Sequence, residues 1–186
     1  MTKPLQVLLI SGSVRAASTN TAVLTTVQHI APEGVRAVMY TGLARLPHFN
    51  PDDDRDPLHP EVAALRTHIK AADALLFSTP EYAGSLPGSF KNLLDWSIGG
   101  GEMNGQPVAW INAAGCGAPT GAVDAHATLL KVLSYTGSVV VEGACMRLPV
   151  ERRMVGNQDT ITDPAVRTQL MVVIEQLARH LRAASS

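Results

Sequence analysis

Apolar runs alternate along the chain with stretches in which apolar residues recur at helical spacing. Five short runs predict strands, at residues 5–10, 35–40, 74–78, 108–112 and 138–142. Most of these runs show no polar alternation, so both faces of each strand should be covered, as in a parallel sheet. Turn signals, Ser11-Gly12 and Thr41-Gly42, close the first two runs.

Helical patterns occupy the intervals between the predicted strands. Capping residues and proline favour the start of a helix, and they mark four of the five predicted starts. These four are Ser18 or Asn20, Pro60, Pro87, and the pair Asp163-Pro164, whereas the fourth helix is predicted to begin at Ala122. The first helix should end near residue 30, the third near residue 96 and the fourth at residue 135. After the fifth helix, residues 183–186 are expected to form a frayed tail.

The order β-α, repeated five times, predicts an α/β fold. We expect a flavodoxin-like three-layer sandwich with a five-stranded parallel sheet in the order 2-1-3-4-5 and right-handed crossovers. No repeat or linker divides the chain, so residues 1–186 are expected to form a single domain. Ligands bind such sheets beyond the carboxyl ends of the strands. Three loops should therefore carry the chemistry: the first loop (residues 12–18), the second (79–87) and the third (113–121).

Composition narrows the classes of function. The net charge is −1, and no Lys/Arg cluster is present, which argues against a nucleic-acid binder. Two distant cysteines, Cys116 and Cys145, form neither a CxxC motif nor a disulfide framework and are expected to be reduced thiols. No apolar run approaches the length that spans a membrane. These features predict a cytoplasmic protein that binds neither nucleic acid nor membrane.

Polar side chains are concentrated where the first predicted helix begins. The start of a helix offers unpaired backbone N–H groups and a partial positive charge. Ser13, Ser18, Asn20 and Thr21 add side-chain donors, and Arg15 adds a full charge. A phosphate monoester needs all three kinds of group, although neither GxxxxGK[ST] nor GxGxxG is present. The alternative is that Ser18 only caps the helix and Arg15 is solvated.

Two motifs indicate a family. Gly12-Ser13-x-Arg15-x-x-Ser18-x-Asn20 resembles the first motif of the NAD(P)H-dependent FMN reductase family. The segment PEYAGSLPGSFKNLLDW, at residues 80–96, is similar to the family signature PEYxxSxPGxLKNxxDW. The similarity extends over roughly residues 5–145. Because that family includes quinone, azo-dye and chromate reductases, the resemblance leaves the electron acceptor open.

The resemblance implies specific contacts with FMN. The phosphate would be held by Ser13, Arg15, Ser18, Asn20 and Thr21. The flavin ring would be lined by Pro80, Glu81, Tyr82, Ala83, Gly84, Ser85 and Gly115. Two alternatives stay open here: Glu81 as a solvated or interface carboxylate, and Tyr82 as a packing residue. Many relatives have Asn at position 83, and a third loop rich in Ser and Gly. Here Ala113 and Ala114 lack hydroxyls, so only backbone donors around Gly115 remain.

The resemblance also implies the reaction. NADPH or NADH would transfer hydride to FMN, which would then reduce a quinone, flavin, azo compound or metal oxyanion. No side chain is expected to be catalytic, because the flavin carries the chemistry. The six histidines lack metal-ligand spacing, so no metal site is expected. Two other classes stay open: a flavodoxin-type electron carrier, generally far more acidic than this chain, and a scaffold without FMN.

A homodimer or homotetramer is expected as well. Residues 86–103 contain more apolar side chains than one helix face needs. The side chains in question are Phe90, Leu93, Leu94, Trp96 and Ile98. We therefore expect this segment, beside the second loop, to form a subunit interface.

Overall fold

The buried apolar runs form one parallel sheet. The computed structural model describes residues 3–184. Its main strands are β1 (Leu5–Ser11), β2 (Val35–Met39), β3 (Ala74–Ser78), β4 (Pro107–Asn112) and β5 (Val139–Val140). They lie in the order β2-β1-β3-β4-β5, and every pairing is parallel. The order predicted from the sequence is confirmed.

Within residues 3–184, five α-helices connect and follow the strands. They are α1 (Thr19–Ile30), α2 (Pro60–Ala71), α3 (Gly88–Trp96), α4 (Val123–Tyr135) and α5 (Pro164–Ala184). The predicted starts agree with these to within a residue or two. Part of the tail prediction is wrong, because Ala183 and Ala184 continue α5. The rest of that predicted tail lies outside the described residues.

The edge of the sheet next to β4 differs from the prediction, which placed a single fifth strand at residues 138–142. β5 covers only two residues and pairs with the start of β4. A 3₁₀ turn at Glu142–Ala144 then interrupts the strand, and a sixth strand, β6 (Met146–Arg147), pairs in parallel with the end of β4. Glu142 and Gly143 account for the break, because an acidic residue and a glycine both disfavour strand structure.

Helices cover both faces of the sheet and create two cores. Val7 and Leu9 of β1 are fully buried on the face covered by α1 and α5. Their neighbours Leu8 and Ile10 are fully buried on the face covered by α2, α3 and α4. Successive residues of a strand point to opposite faces, so a strand without alternation serves both cores. The predicted three-layer sandwich is confirmed.

A buried ion pair fixes the position of α3, the helix that follows the second loop. Arg66 of α2 donates to the carbonyl of Trp96, at 3.0 Å from Nε and 2.8 Å from Nη2. Its Nη2 atom also lies 2.7 Å from Asp54 Oδ1. A cation at the C-terminus of a helix is favourable, so this contact stabilises α3 where it ends.

The strand order brings the three loops to one edge. β1, β3 and β4 are adjacent, and their carboxyl ends lead into residues 12–18, 79–87 and 113–122. Within residues 3–184, no helix combines the length and apolar character needed to cross a membrane.

Candidate cofactor site

The first loop is folded by its own hydroxyl groups. Ser18 is the N-cap of α1, and its Oγ accepts from Thr21 N at 3.3 Å. Ser11 Oγ lies 2.9 Å from Thr21 Oγ1 and accepts from Ser13 N at 3.3 Å. Ser13 Oγ accepts from Arg15 N, also at 3.3 Å, so its own O–H group can still donate to a ligand. Ser18 therefore caps α1, and its side chain is buried.

Unpaired donors remain where α1 begins. The backbone N–H groups of Thr19 and Asn20 have no acceptor among residues 3–184. The Arg15 side chain is exposed and likewise has no polar partner within that range. A phosphate accepts from such N–H groups and is favoured by the positive end of the helix dipole. These donors fit the phosphate of FMN.

Asn20 has a structural role that its motif position did not reveal. Ser78 Oγ, at the end of β3, lies 2.8 Å from Asn20 Oδ1 and 3.1 Å from the carbonyl of Ile111. The amide oxygen of Asn20 therefore ties α1 to β3 at the loop edge. Its amide NH₂ has no acceptor among the described residues and is available to a ligand.

The second loop contains a tight turn. Tyr82 N donates to Ser85 O at 3.0 Å, and Ser85 N donates to Tyr82 O at 3.1 Å. Between them, Ala83 and Gly84 both have positive φ, at 50° and 68°. Two positive φ values define a type I′ turn, which favours Asn-Gly. The backbone of this turn therefore favours the Asn that many relatives have at position 83, whether or not that Asn contacts the ring.

Glu81 joins the second loop to the third. Its carboxylate accepts from the hydroxyl of Thr120 and, at 3.0 Å, from Ala125 N in the first turn of α4. The hydrogen bond from Thr120 is the main cause that lowers the pKa of Glu81, followed by the bond from Ala125. Glu81 thus accepts a hydrogen bond from the first turn of α4. The sequence had suggested a contact with the ring, or a solvated or interface carboxylate, and none of these includes this role.

The third loop is held by side chains from two directions. Asn112, at the end of β4, accepts from Ala114 N at 3.0 Å and donates to Gly121 O at 2.8 Å. Glu151 Oε1 accepts from Cys116 N at 3.0 Å. Gly115 packs closely against the same carboxylate, since a Cβ there would lie 3.1 Å from Glu151 Oε1.

Two cavities of about 290 Å³ each lie at this edge of the sheet. The central cavity lies between the second loop, the third loop and the start of α1. Of the predicted residues, it is lined by Asn20, Pro80, Glu81 and Gly115, and Val150 lines it as well. The β2-side cavity is lined by three further predicted residues and by parts of residues 39–44. Those three are Ser13, Arg15 and Thr21.

The remaining predicted residues lie outside both cavities. Ser18 is buried beneath the loop as a cap. Tyr82, Ala83 and Gly84 are exposed at the turn of the second loop, and Ser85 is half-buried. Of the twelve predicted residues, four line the central cavity, three line the β2-side cavity, one caps α1 and four form the turn of the second loop.

Sequence reasoning missed two residues at this edge, Glu151 and Arg152. Arg152 Nη1 donates to the carbonyl of Ala17 at 2.7 Å, across 135 positions of sequence. Neither residue belongs to a motif, so no local signal identified them. The only available hint was the basic pair Arg152-Arg153 in a polar segment.

His126 is a buried titratable side chain near the site. Its Nδ1 contacts the Ala122 carbonyl at 2.8 Å, and its Nε2 has no hydrogen-bond partner in the part of the chain that the structure describes. Burial is the main cause that lowers the pKa of His126. The neutral ring, with its proton on Nδ1, fits this contact to a carbonyl acceptor. Within residues 3–184, no group of three or more His, Cys, Asp or Glu could hold a metal ion.

Known proteins are similar to this chain in sequence. An NAD(P)H-dependent FMN reductase of Pseudomonas aeruginosa is 37% identical over 116 residues, which cover 61% of this chain and 62% of that protein. A 2-hydroxy-1,4-benzoquinone reductase of a Burkholderia species is 29% identical over 182 residues, which cover 96% and 97%. The chain thus spans less than two thirds of the first relative and nearly all of the second.

Solved structures agree with the fold. FerB of Paracoccus denitrificans, a flavoenzyme NAD(P)H:(acceptor) oxidoreductase, superposes with a TM-score of 0.74 at 26% identity, covering 95% of this chain and 98% of that one. A flavodoxin from the Archaea superposes with a TM-score of 0.59 at 9% identity, over 94% and 99%, and bears on the fold alone. The sequence pattern of the NADPH-dependent FMN reductases matches residues 5–149. This chain therefore belongs to the NADPH-dependent FMN reductase family.

Proposed function

We propose that this protein binds FMN at the loop edge, with its phosphate at the start of α1 and its ring toward the central cavity. Bound FMN would accept hydride from NADPH or NADH and deliver electrons to a small-molecule acceptor. The supporting observation is the pair of unpartnered N–H groups on Thr19 and Asn20, together with the hydroxyl of Ser13, which can still donate. Family membership supports the same cofactor.

The central cavity suits a flat aromatic ring. Its walls include Pro80, Ala113, Ala114 and Val150, which are apolar, while Glu81 provides a carboxylate. Small-molecule sites are mostly apolar and contain a few polar groups that fix orientation. No side chain here is needed for proton abstraction, and the role of the protein is to orient the ring and limit access of water.

Quinones are the acceptors we propose first. Several relatives are named quinone reductases, among them those of Escherichia coli and Pseudomonas putida, which are 34% and 30% identical. A flavin, an azo compound or a metal oxyanion is the alternative acceptor. The near-neutral charge of the chain favours small acceptors over a protein partner that docks through charge.

Anaerobic reduction tests the enzymatic proposal against an electron carrier. Protein loaded with FMN is mixed with NADPH or NADH, and the flavin absorbance is followed. We expect rapid bleaching, followed by recovery of absorbance when a benzoquinone is added. Flavin that stays oxidised with either nicotinamide would favour the carrier instead. A chain that binds no FMN would favour a scaffold.

We also propose that the protein forms a homodimer or homotetramer, although the residues expected to drive assembly need correction. Phe90, Leu93, Leu94 and Trp96 are buried in the protein's own core, so they cannot contact a second subunit. Ile98 is still exposed in the predicted segment, at 47%. Three apolar side chains of α4, Val123, Leu130 and Tyr135, are more exposed than Ile98, and we propose α4 as the main contact surface.

The cytoplasm is the proposed location. Cys116 and Cys145 are both free thiols, and such thiols persist where glutathione keeps cysteines reduced. Fractionation of cells that express the tagged chain should recover it with cytoplasmic markers. Recovery with an exported fraction would contradict this proposal.

A further inference from the structure

Residues 150–152 connect two of the three loops. Val150 lines the central cavity, and the carboxylate of Glu151 accepts from Cys116 N in the third loop. The next residue, Arg152, donates to Ala17 O in the first loop. Three consecutive residues therefore extend along the side of the first loop that faces the third loop. All three residues lie just beyond the part of the chain that matches the family pattern, which ends at residue 149.

Arg15 belongs to the first loop, and Arg152 contacts that loop from a different part of the chain. Arg15 lines the β2-side cavity, whereas Arg152 belongs to the segment that borders the central cavity. The acceptor of Arg152 is the carbonyl of Ala17, the residue before the cap Ser18. Its guanidinium is therefore held two positions in sequence before Thr19, the first residue with an unpaired N–H group. One of its five N–H donors is used by Ala17, and the side chain is exposed.

We infer that Arg152 is a second phosphate-binding cation for the flavin nucleotide, on the side of the first loop opposite Arg15. A phosphate monoester carries roughly −1.5 to −2 charges near neutral pH, so two guanidinium groups match it better than one. The inference rests on the proposed function, since it assumes that FMN is the ligand. Glu151, the acidic residue next to Arg152 in sequence, accepts from Cys116 N of the third loop through its Oε1 atom.

A purely structural role for Arg152 makes a different prediction. If Arg152 only fixes the carbonyl of Ala17, its loss loosens the first loop for any flavin. A loss of phosphate contacts instead affects FMN and spares riboflavin, which carries a hydroxyl in place of the phosphate. Comparison of the two flavins therefore separates the two roles.

The test is a fluorescence titration of FMN and riboflavin into the full-length, flavin-free protein. We expect Arg152→Ala to weaken FMN about tenfold, and riboflavin less than about twofold, as the loss of one charge-assisted bond predicts. The matched control is Arg153→Ala, because Arg153 is an exposed neighbour whose side chain has no polar partner among residues 3–184. This control should leave both affinities unchanged, and Arg152→Lys should retain part of the preference for FMN.

A pH series adds a readout that a structural role would not change. The second pKa of a phosphate monoester is about 6, so FMN affinity of the wild type should fall as the pH drops below that value. This dependence should be weaker in Arg152→Ala, because one partner of the dianion is missing. Circular dichroism and thermal unfolding of each variant confirm that the fold is retained.

Two results would overturn the inference. Equal weakening of FMN and riboflavin by Arg152→Ala would assign Arg152 to the shape of the loop. An unchanged FMN affinity would show that the side chain does not reach the ligand. Arg15→Ala, measured in parallel, separates these outcomes from failure of the proposed function: if FMN binds and depends on Arg15, only the role of Arg152 is refuted. If the wild type binds neither flavin, the proposed function fails as well.

Discussion

Arg15 is exposed at the edge of the β2-side cavity, and no polar contact with residues 3–184 occupies its side chain. The fold therefore does not depend on that charge, whereas a bound phosphate would. Arg15→Ala should weaken FMN about thirtyfold, equivalent to about 2 kcal/mol, with little effect on riboflavin. Titration of both flavins measures the difference. Equal loss for both would show that Arg15 acts on the conformation of the loop.

Ala83 is in a conformation that suits it poorly. Its φ of 50° lies in the left-handed region, which costs a residue with a Cβ roughly 1–2 kcal/mol and is easier for Asn. Ala83→Asn should therefore raise the free energy of unfolding by about 0.5–1 kcal/mol, and the melting temperature by about 1–4 °C. Urea denaturation of the flavin-free protein measures this change.

The adjacent glycine provides the matched control for that prediction. Gly84 has a φ of 68°, and a Cβ at this position would meet no atom within 4 Å. Gly84→Ala should therefore lower stability through backbone strain alone. If Gly84→Ala lowers stability while Ala83→Asn has no effect, then the left-handed conformation of Ala83 is not a source of strain.

Among the helices, α4 depends on a neighbouring loop for the start of its first turn. Its N-cap residue, Ala122, offers no side-chain acceptor. Glu81 of the second loop supplies one, since its carboxylate accepts from Ala125 N. An acidic group at the start of a helix also interacts favourably with the helix dipole. The second and third loops are therefore linked through α4.

This link predicts a dependence of stability on pH. The pKa of Glu81 is lowered from 4.5, so the folded protein holds this proton less tightly than the unfolded chain does. Ionised Glu81 therefore stabilises the fold above its ordinary pKa, and that contribution is lost as the pH falls through the lowered value. Urea midpoints of Glu81→Gln and the wild type should differ most near neutral pH and converge in acid.

Glu33→Gln controls for the loss of one negative charge, because Glu33 is an exposed carboxylate outside the site. A constant offset between Glu81→Gln and the wild type at all pH values would contradict the prediction. It would mean that Glu81 acts through its shape and hydrogen bonds, with no contribution from its charge.

On the surface of the molecule, α4 carries apolar side chains that the protein's own core does not cover. Val123 is 58% exposed, Leu130 49% and Tyr135 79%, all on this helix. Its buried positions, Leu129 and Leu133, already fill the core. Exposed apolar side chains grouped on one helix are typical of a protein–protein contact. The third loop leads directly into α4, so such a contact would lie beside the cofactor site.

Charge substitution tests this surface. The wild type should have a dimer or tetramer mass by light scattering at micromolar concentration, and Leu130→Glu should shift it toward the monomer because a charge cannot be buried without a partner. Ala64→Glu, on the exposed face of α2, is the control and should leave the mass unchanged. A substitution at Ile98 with the same effect would favour the 86–103 segment instead. A monomeric wild type would contradict both surfaces.

The sequence alone determined the order of the elements and the edge of the sheet at which the three loops meet. Uninterrupted apolar runs such as residues 5–10 can only be buried on both faces, and this fixes a parallel sheet with a helix after each strand. Local signals fixed the loop ends as well, since Ser18 and Pro60 begin helices through interactions within a few residues. The fifth strand was the exception, because Glu142-Gly143 breaks it at the sheet edge.

Only the tertiary structure decided how the loops are joined and which residues face which cavity. Glu81 reaches Ala125 across 44 positions, and Arg152 reaches Ala17 across 135, so neither contact has a signature at short range. Burial of Phe90 and Trp96 was equally hidden, since an apolar residue looks the same in sequence whether its own core or a second subunit covers it. Contacts within a turn depend on neighbouring residues, whereas contacts across a sheet edge depend on how all the strands are packed.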